Sequence, residues 1–220
     1  VKTYVKLIVE AAMGVDSAAS EGYALYSNDY GRGQTALLYD PEYVWRVSSS
    51  GKLPQQSSGP VVAYINTRKR ENIKGHMYGA RAIASAAARK GWGPMLYDFI
   101  ISSGKVAPDR LSVSSSAESV WSYYKNKRPD VEKEKIDNVL APKTPTPVDD
   151  GEVYDKGSDE NPLNYVYSMK SDIASQYSPL IRSHSEFCDR MQQKRGISRD
   201  DLEAYLKKCG SMFFMKKYEG

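Results

Sequence analysis

The chain has 220 residues, 40% of them hydrophobic and 26% charged, with a net charge of +4. That is room for one domain with a true core, or one domain and an appended piece, and the mild positive balance suits an anionic small molecule or weak nucleic-acid contact. No run approaches the roughly eighteen apolar residues of a membrane-spanning helix, and two cysteines, Cys188 and Cys209, are too few for a disulfide scaffold and fit a reducing, cytoplasmic setting.

The opening stretch VKTYVKLIVEAAMG is interrupted by Lys6 and Glu10, so it lacks the apolar core of a signal segment. We read Val1–Val9 as a strand, with Tyr4, Lys6 and Ile8 on one face. QTALLYD and EYVWRVSS are expected strands, entered through a turn at Gly31-Arg32-Gly33. Lys52–Gly59 is a polar loop, and PVVAYINTRKR is a strand beginning at a tolerated proline. HMYGARAIAS is a further, small-residue strand. After it comes ARKGWGP, and then MLYDFIISSG, a helix with Pro94 in its first turn and a stop at Gly104.

RLSVSSS is predicted as a brief strand, and Ser115 or Ser116 as the cap of the helix AESVWSYYKNK. DVEKEKIDNVL is expected to be a second short helix. The segment 141–162, with four prolines and six acidic residues, reads as a surface loop. LNYVYSMK is the last strand. From Ser171 the chain turns helical, with Leu180, His184, Phe187, Cys188 and Met191 on one face. Gly196 stops that helix, and a Ser198…Asp201 cap opens another that buries Leu202, Tyr205 and Leu206. The 17 tyrosines, against 4 phenylalanines, mark many positions where a ring packs and a hydroxyl reaches a partner. The expected class is α+β, with residues 1–170 as the main domain and 171–220 as a helical extension.

The sequence ARKGWGPM raises a specific question. Two glycines at the start of a helix serve either a tight turn or a backbone that must come close to an anion, since first-turn N–H groups carry partial positive charge. No P-loop signature is present, and Leu96 is too bulky for the third position of a dinucleotide fingerprint.

A strand, a basic G-x-G turn, a helix, a short strand and a serine-capped aromatic helix together resemble the core of the GNAT family of N-acetyltransferases. There the pyrophosphate of acyl-CoA sits on a (Q/R)-x-x-G-x-(G/A) loop. Gly91 and Gly93 match its small positions, Lys90 takes a variable one, and Ala88 departs from the expected Gln or Arg, with Arg89 one residue late. The resemblance covers HMYGARAIASAAARKGWGPMLYDFII and, less closely, RLSVSSSAESVWSYYKNKR.

The resemblance implies a mainly antiparallel sheet flanked by helices and acetyl-CoA as co-substrate. It also implies that the strand before the turn splays from its neighbour. Arg89, Lys90, Gly91, Trp92, Gly93 and Met95 would hold the cofactor, with backbone N–H groups of Trp92 to Met95 on the pyrophosphate. A backbone N–H at Ile83 or Ala84 would polarise the thioester carbonyl. The acceptor would be an amine on a small molecule or protein.

The family draws the thiolate's proton from a tyrosine in the helix after the short strand. Trp121 falls at that place here, and Tyr124 is the nearest candidate, with a packing tyrosine as its other reading. Glu71 and Asp98 are the candidate bases. A rival expectation keeps the shape without the catalysis: a binding or structural component, in a phage particle or against a host partner, docking through the C-terminal helices.

Three other patterns have plainer readings. His184 and Cys188 stand at i, i+4, a spacing two metal ligands can use, and we read them as a packed core face. Arg68, Lys69 and Arg70 are read as a solvated turn in preference to a nucleic-acid contact. The serines of DRLSVSSSAES lack G-x-S-x-G and are read as capping groups.

Overall fold

Both faces of the central strands are apolar, and helices cover both. The computed structural model describes residues 13–69, 80–109, 113–136 and 161–218. Among these, seven strands form one sheet: β1 (Ala24–Asp29), β2 (Gly33–Tyr39), β3 (Val61–Arg68), β4 (Arg81–Ala88), β5 (Val106–Ala107), β6 (Val131–Lys135) and β7 (Tyr165–Met169). Their order is β1-β2-β3-β4-β5-β7-β6, and every neighbouring pair is antiparallel except β4–β5. The helices are α1 (Val15–Ser20), α2 (Pro41–Val47), α3 (Gly93–Ser102), α4 (Ser115–Lys127), α5 (Ser178–Arg195) and α6 (Arg199–Tyr218). The class is α+β, with a mostly antiparallel sheet and two C-terminal helices.

Period-2 alternation sends neighbouring side chains of one strand into different cores. Leu25, Ala36, Leu38, Ala63 and Ile65 face α3 and α4, with Leu96, Ile100 and Trp121. Ala24, Tyr26, Leu37, Tyr39 and Tyr64 face α5 and α6, with Phe187, Leu202, Leu206 and Cys209. This is why QTALLYD carries no polar face: all seven residues of β2 are buried.

Several expectations change. EYVWRVSS is not a strand but α2, because the Asp40 carboxylate accepts from the Tyr43 N–H at 3.0 Å and Pro41 takes the first turn. DVEKEKIDNVL is not a helix where it is described. It gives the strand β6, whose alternating charges leave no apolar helical stripe and whose edge position tolerates them. The short strand lies at Val106–Ala107 rather than in RLSVSSS, of which Arg110–Ser112 fall outside the described residues. The cap of α4 is Ser114, whose Oγ accepts from the Ala117 N–H. The strand expected over Val1–Val9, the turn ENIKG and most of the acidic proline-rich segment lie outside the described residues.

The segment expected as a helical extension thus shares a core with the strands. Leu206 is 0% exposed between α6 and the sheet. Leu206→Ala should lower stability by about 2–5 kcal/mol. Urea unfolding followed by both circular dichroism and tryptophan fluorescence should show one coincident, earlier transition; an unshifted midpoint for the strands would mean that α6 unfolds independently.

Candidate functional site

β4 and β5 run parallel, so the chain between them must cross over, and it does so through α3. Their pairing covers only Arg81↔Val106 and Ala82↔Ala107. From Ile83 onward β5 no longer accompanies β4, and a cleft of about 420 Å³ opens there. Its walls include Ile65, Ala87, Gly93, Leu96, Tyr97 and Val120. A smaller space of about 160 Å³ continues inward past Ile83, Ala84 and Ser85 to Trp121, Asp109 and Phe214. Ala86, Tyr97, Ser114 and Ala117 line both.

At the inner end the β4 backbone is irregular. Asn66 pairs with Ser85 but Thr67 pairs with Ile83, so Ala84 is an extra residue in β4. Such a bulge breaks the ladder and re-aims backbone groups. It falls on the pair Ile83 and Ala84, the expected carbonyl-polarising donors.

At the outer end stands the glycine turn, and its two glycines have different reasons. Gly91 has φ +90°, a conformation that L side chains rarely adopt, so the turn itself requires it. Gly93 has no such φ, and a Cβ there would meet only the Ala88 Cβ, at 3.8 Å, an ordinary contact. Nothing inside the fold demands glycine at 93; its bare Cα faces the cleft.

The Trp92 N–H closes the turn on the Arg89 carbonyl at 3.2 Å, and Pro94 has none. That leaves Gly93 and Met95 as the first-turn donors of α3 without an intrahelical acceptor. The Trp92 ring is 5% exposed and packs edge-on against Tyr23 at 5.3 Å, within the core. Arg89 is exposed at the cleft wall, and one guanidinium nitrogen donates to the Gly59 carbonyl at 2.8 Å. Lys90 is exposed beside it.

Tyr124 occupies different ground. It is 1% exposed, and its hydroxyl donates to the Asp98 carboxylate, which Arg128 also binds at 2.9 and 3.2 Å. Arg128 in turn holds Asp130 at 2.6 Å. Burial first, and then the Asp98 charge, push the Tyr124 hydroxyl well above its ordinary range, so it is protonated at neutral pH. Burial also raises Asp98, against the lowering effect of Arg128. The group is a half-buried brace between α3 and the C-terminal end of α4, with Tyr124 its buried member.

Trp121, also 1% exposed, stacks on Tyr167 at 4.9 Å and meets Tyr97 edge-on at 5.4 Å. Glu71 lies outside the described residues. Sequence reasoning missed Tyr64, Ile65, Asp109 and Phe214 as cleft residues. Only the splay of β4 from β5 and the fold-back of α6 bring them together.

Compared with protein families, with curated proteins and with solved structures, the chain gives no match.

Two variants separate fold from site. Gly93→Ala should be neutral or raise stability by about 0.4–1 kcal/mol in thermal unfolding, because the φ is compatible and the space is open; marked destabilisation would show that the fold needs that glycine. Tyr124→Phe removes a buried hydroxyl that donates to the half-buried Asp98 carboxylate and should lower stability by about 1–3 kcal/mol. The same denaturation assay reads it, and an unchanged midpoint would separate Tyr124 from the brace.

Proposed function

We propose that the chain binds acyl-CoA in the β4–β5 cleft and transfers an acetyl group to an amine, as the resemblance to GNAT N-acetyltransferases implies. The observation that carries this reading is the side-chain-free Gly93 at a helix N-terminus, beside a parallel strand pair that parts after two residues. A cradle that a Cβ would fill without harming the fold is explained by a ligand that must come close.

The residues present fit such a ligand. The N–H groups of Gly93 and Met95 and the charges of Arg89 and Lys90 suit a pyrophosphate. The narrow wall of Ala86, Ala87 and Ala88 leaves width for a pantetheine arm. The bulge at Ala84 offers backbone dipoles where a carbonyl would need polarising. Bound acyl-CoA supplies the activated acyl group; the chain contributes orientation, exclusion of water and a proton for the departing sulfur. Tyr97 and Ser114 are hydroxyl-bearing residues on the cleft walls, whereas Tyr124 acts as a positioning residue through Asp98.

A second reading, acyl-CoA binding without transfer, draws on Trp121 standing at the family's tyrosine position and on the Tyr124 hydroxyl being held by Asp98.

Calorimetric titration with acetyl-CoA tests both. Micromolar binding that Gly93→Ala weakens and Gly93→Glu abolishes supports the site; no binding at millimolar acetyl-CoA overturns it. Release of free thiol from acetyl-CoA with a panel of amines then separates transfer from binding alone.

A further inference from the structure

On the sheet face that the C-terminal helices cover, three metal-binding side chain types converge. His184 and Cys188 lie one turn apart on α5, and α6 brings Glu203 to the same point. His184 and Cys188 are 6% and 1% exposed, and the Glu203 side chain is 25% exposed. The spacing of the first two is visible in sequence, but the third ligand arrives only when α6 folds back across Gly196.

The distances are informative. His184 Nε2 stands 3.5 Å from Cys188 Sγ and 3.5 Å from Glu203 Oε1. The separation from Glu203 is long for a good direct hydrogen bond to a ring N–H, which lies near 2.7–3.2 Å for oxygen acceptors, while that from Cys188 is an ordinary contact to sulfur. Two ligands bonded at about 2.0–2.3 Å to one tetrahedral ion stand about 3.4–3.6 Å apart. The three donor atoms all lie within 4.8 Å of one another, so only the partly exposed Glu203 must close in.

The other ring nitrogen is already placed. His184 Nδ1 is 2.9 Å from the Tyr39 hydroxyl, deep in the core. A metal-ligating histidine usually gives its second nitrogen to such a partner, which fixes the ring and its tautomer. Arg199 is a cation beside the cluster; its Nη1 is 4.0 Å from Glu203 Oε1, while Nη2 is 3.2 Å from Ser185 Oγ and 3.6 Å from Asp189. Those outer partners hold the guanidinium when Glu203 turns inward.

We propose that His184 Nε2, Cys188 Sγ and Glu203 bind a divalent transition ion of the zinc type, with water as fourth ligand, and thereby pin α5 to α6. Binding replaces the thiol proton of Cys188 by the ion, and that proton goes to buffer. The site is independent of the acyl-CoA reading.

The test is titration of the full chain, stripped by chelator, with zinc chloride, and with cobalt(II) as a spectroscopic probe. Saturable binding of one ion per chain is expected, with a heat that depends on the buffer's ionisation and a thiolate-to-cobalt charge-transfer band. Cys188→Ser should abolish the band. Glu203→Gln, the least buried ligand and so the least prone to misfold, should weaken zinc binding by at least about tenfold, the loss even an outer-shell partner brings. Cys209→Ser should bind as the parent does. Failure of the parent to bind, or binding equally tight in Glu203→Gln, would overturn the assignment.

Discussion

Two backbone pairings, Arg81 with Val106 and Ala82 with Ala107, join the two halves of the sheet on the β4 side. Everything at the cleft depends on their being so few. A longer parallel ladder would close the gap and leave no room beside α3; none at all would let the halves drift. The seam is held at its base, where the Arg81 N–H donates to the Lys105 carbonyl at 3.0 Å, while the Arg81 side chain is anchored within its own half of the sheet by Asp29 at 2.6 Å. Beyond that base the strands part, and α3 begins where β4 ends. Backbone geometry alone therefore makes both the opening and the positive end that faces it.

Aromatic and ionic contacts hold the two walls at a fixed spacing. Trp121 lies between Tyr97 of α3 and Tyr167 of β7, and the Tyr124–Asp98–Arg128 chain ties α3 to the last residues of α4. Rings of this kind add directional contact to their buried area. The carboxylate at the centre is half-buried, and its partners make that tolerable by occupying both oxygens. A tyrosine in this role shapes the site through its neighbours, which accounts for its deep burial beside a cleft it does not line.

Much of this was legible in the sequence, and the failures have physical causes. QTALLYD, PVVAYINTR and LNYVYSMK announced strands through β-branched and aromatic runs. The helices at Pro94 and Ser198 announced themselves by their first-turn residues, and the serine run ahead of α4 announced that helix with the cap one or two residues late. EYVWRVSS misled because its composition favours a strand, while Asp40 and Pro41, two residues ahead of it, start a helix. VEKEK carries no apolar period of either kind, so only its pairing with Tyr165–Met169 makes it a strand. The candidate site was half legible: the glycine turn stands in one stretch, and its chemistry is local. Ile65, Asp109 and Phe214 come from distant parts of the chain, and no spacing rule brings them to Gly93. Glu203 was hidden from His184 in the same way, by a turn of helix direction at Gly196.

The order in which the layers occur along the chain has its own consequence. Strands β1 to β4 and helix α3 are complete by residue 102, so one sheet face already has its first covering helix, and α4 follows by residue 127. The opposite face, with Leu37, Tyr39 and Tyr64, waits for α5 and α6, which follow the strands in the sequence. During vectorial synthesis the nascent chain therefore carries a broad unpaired apolar sheet face through most of its length. Holding that face away from other nascent chains is the task its folding sets for the translating cell, and the arrival of α5 and α6 ends it.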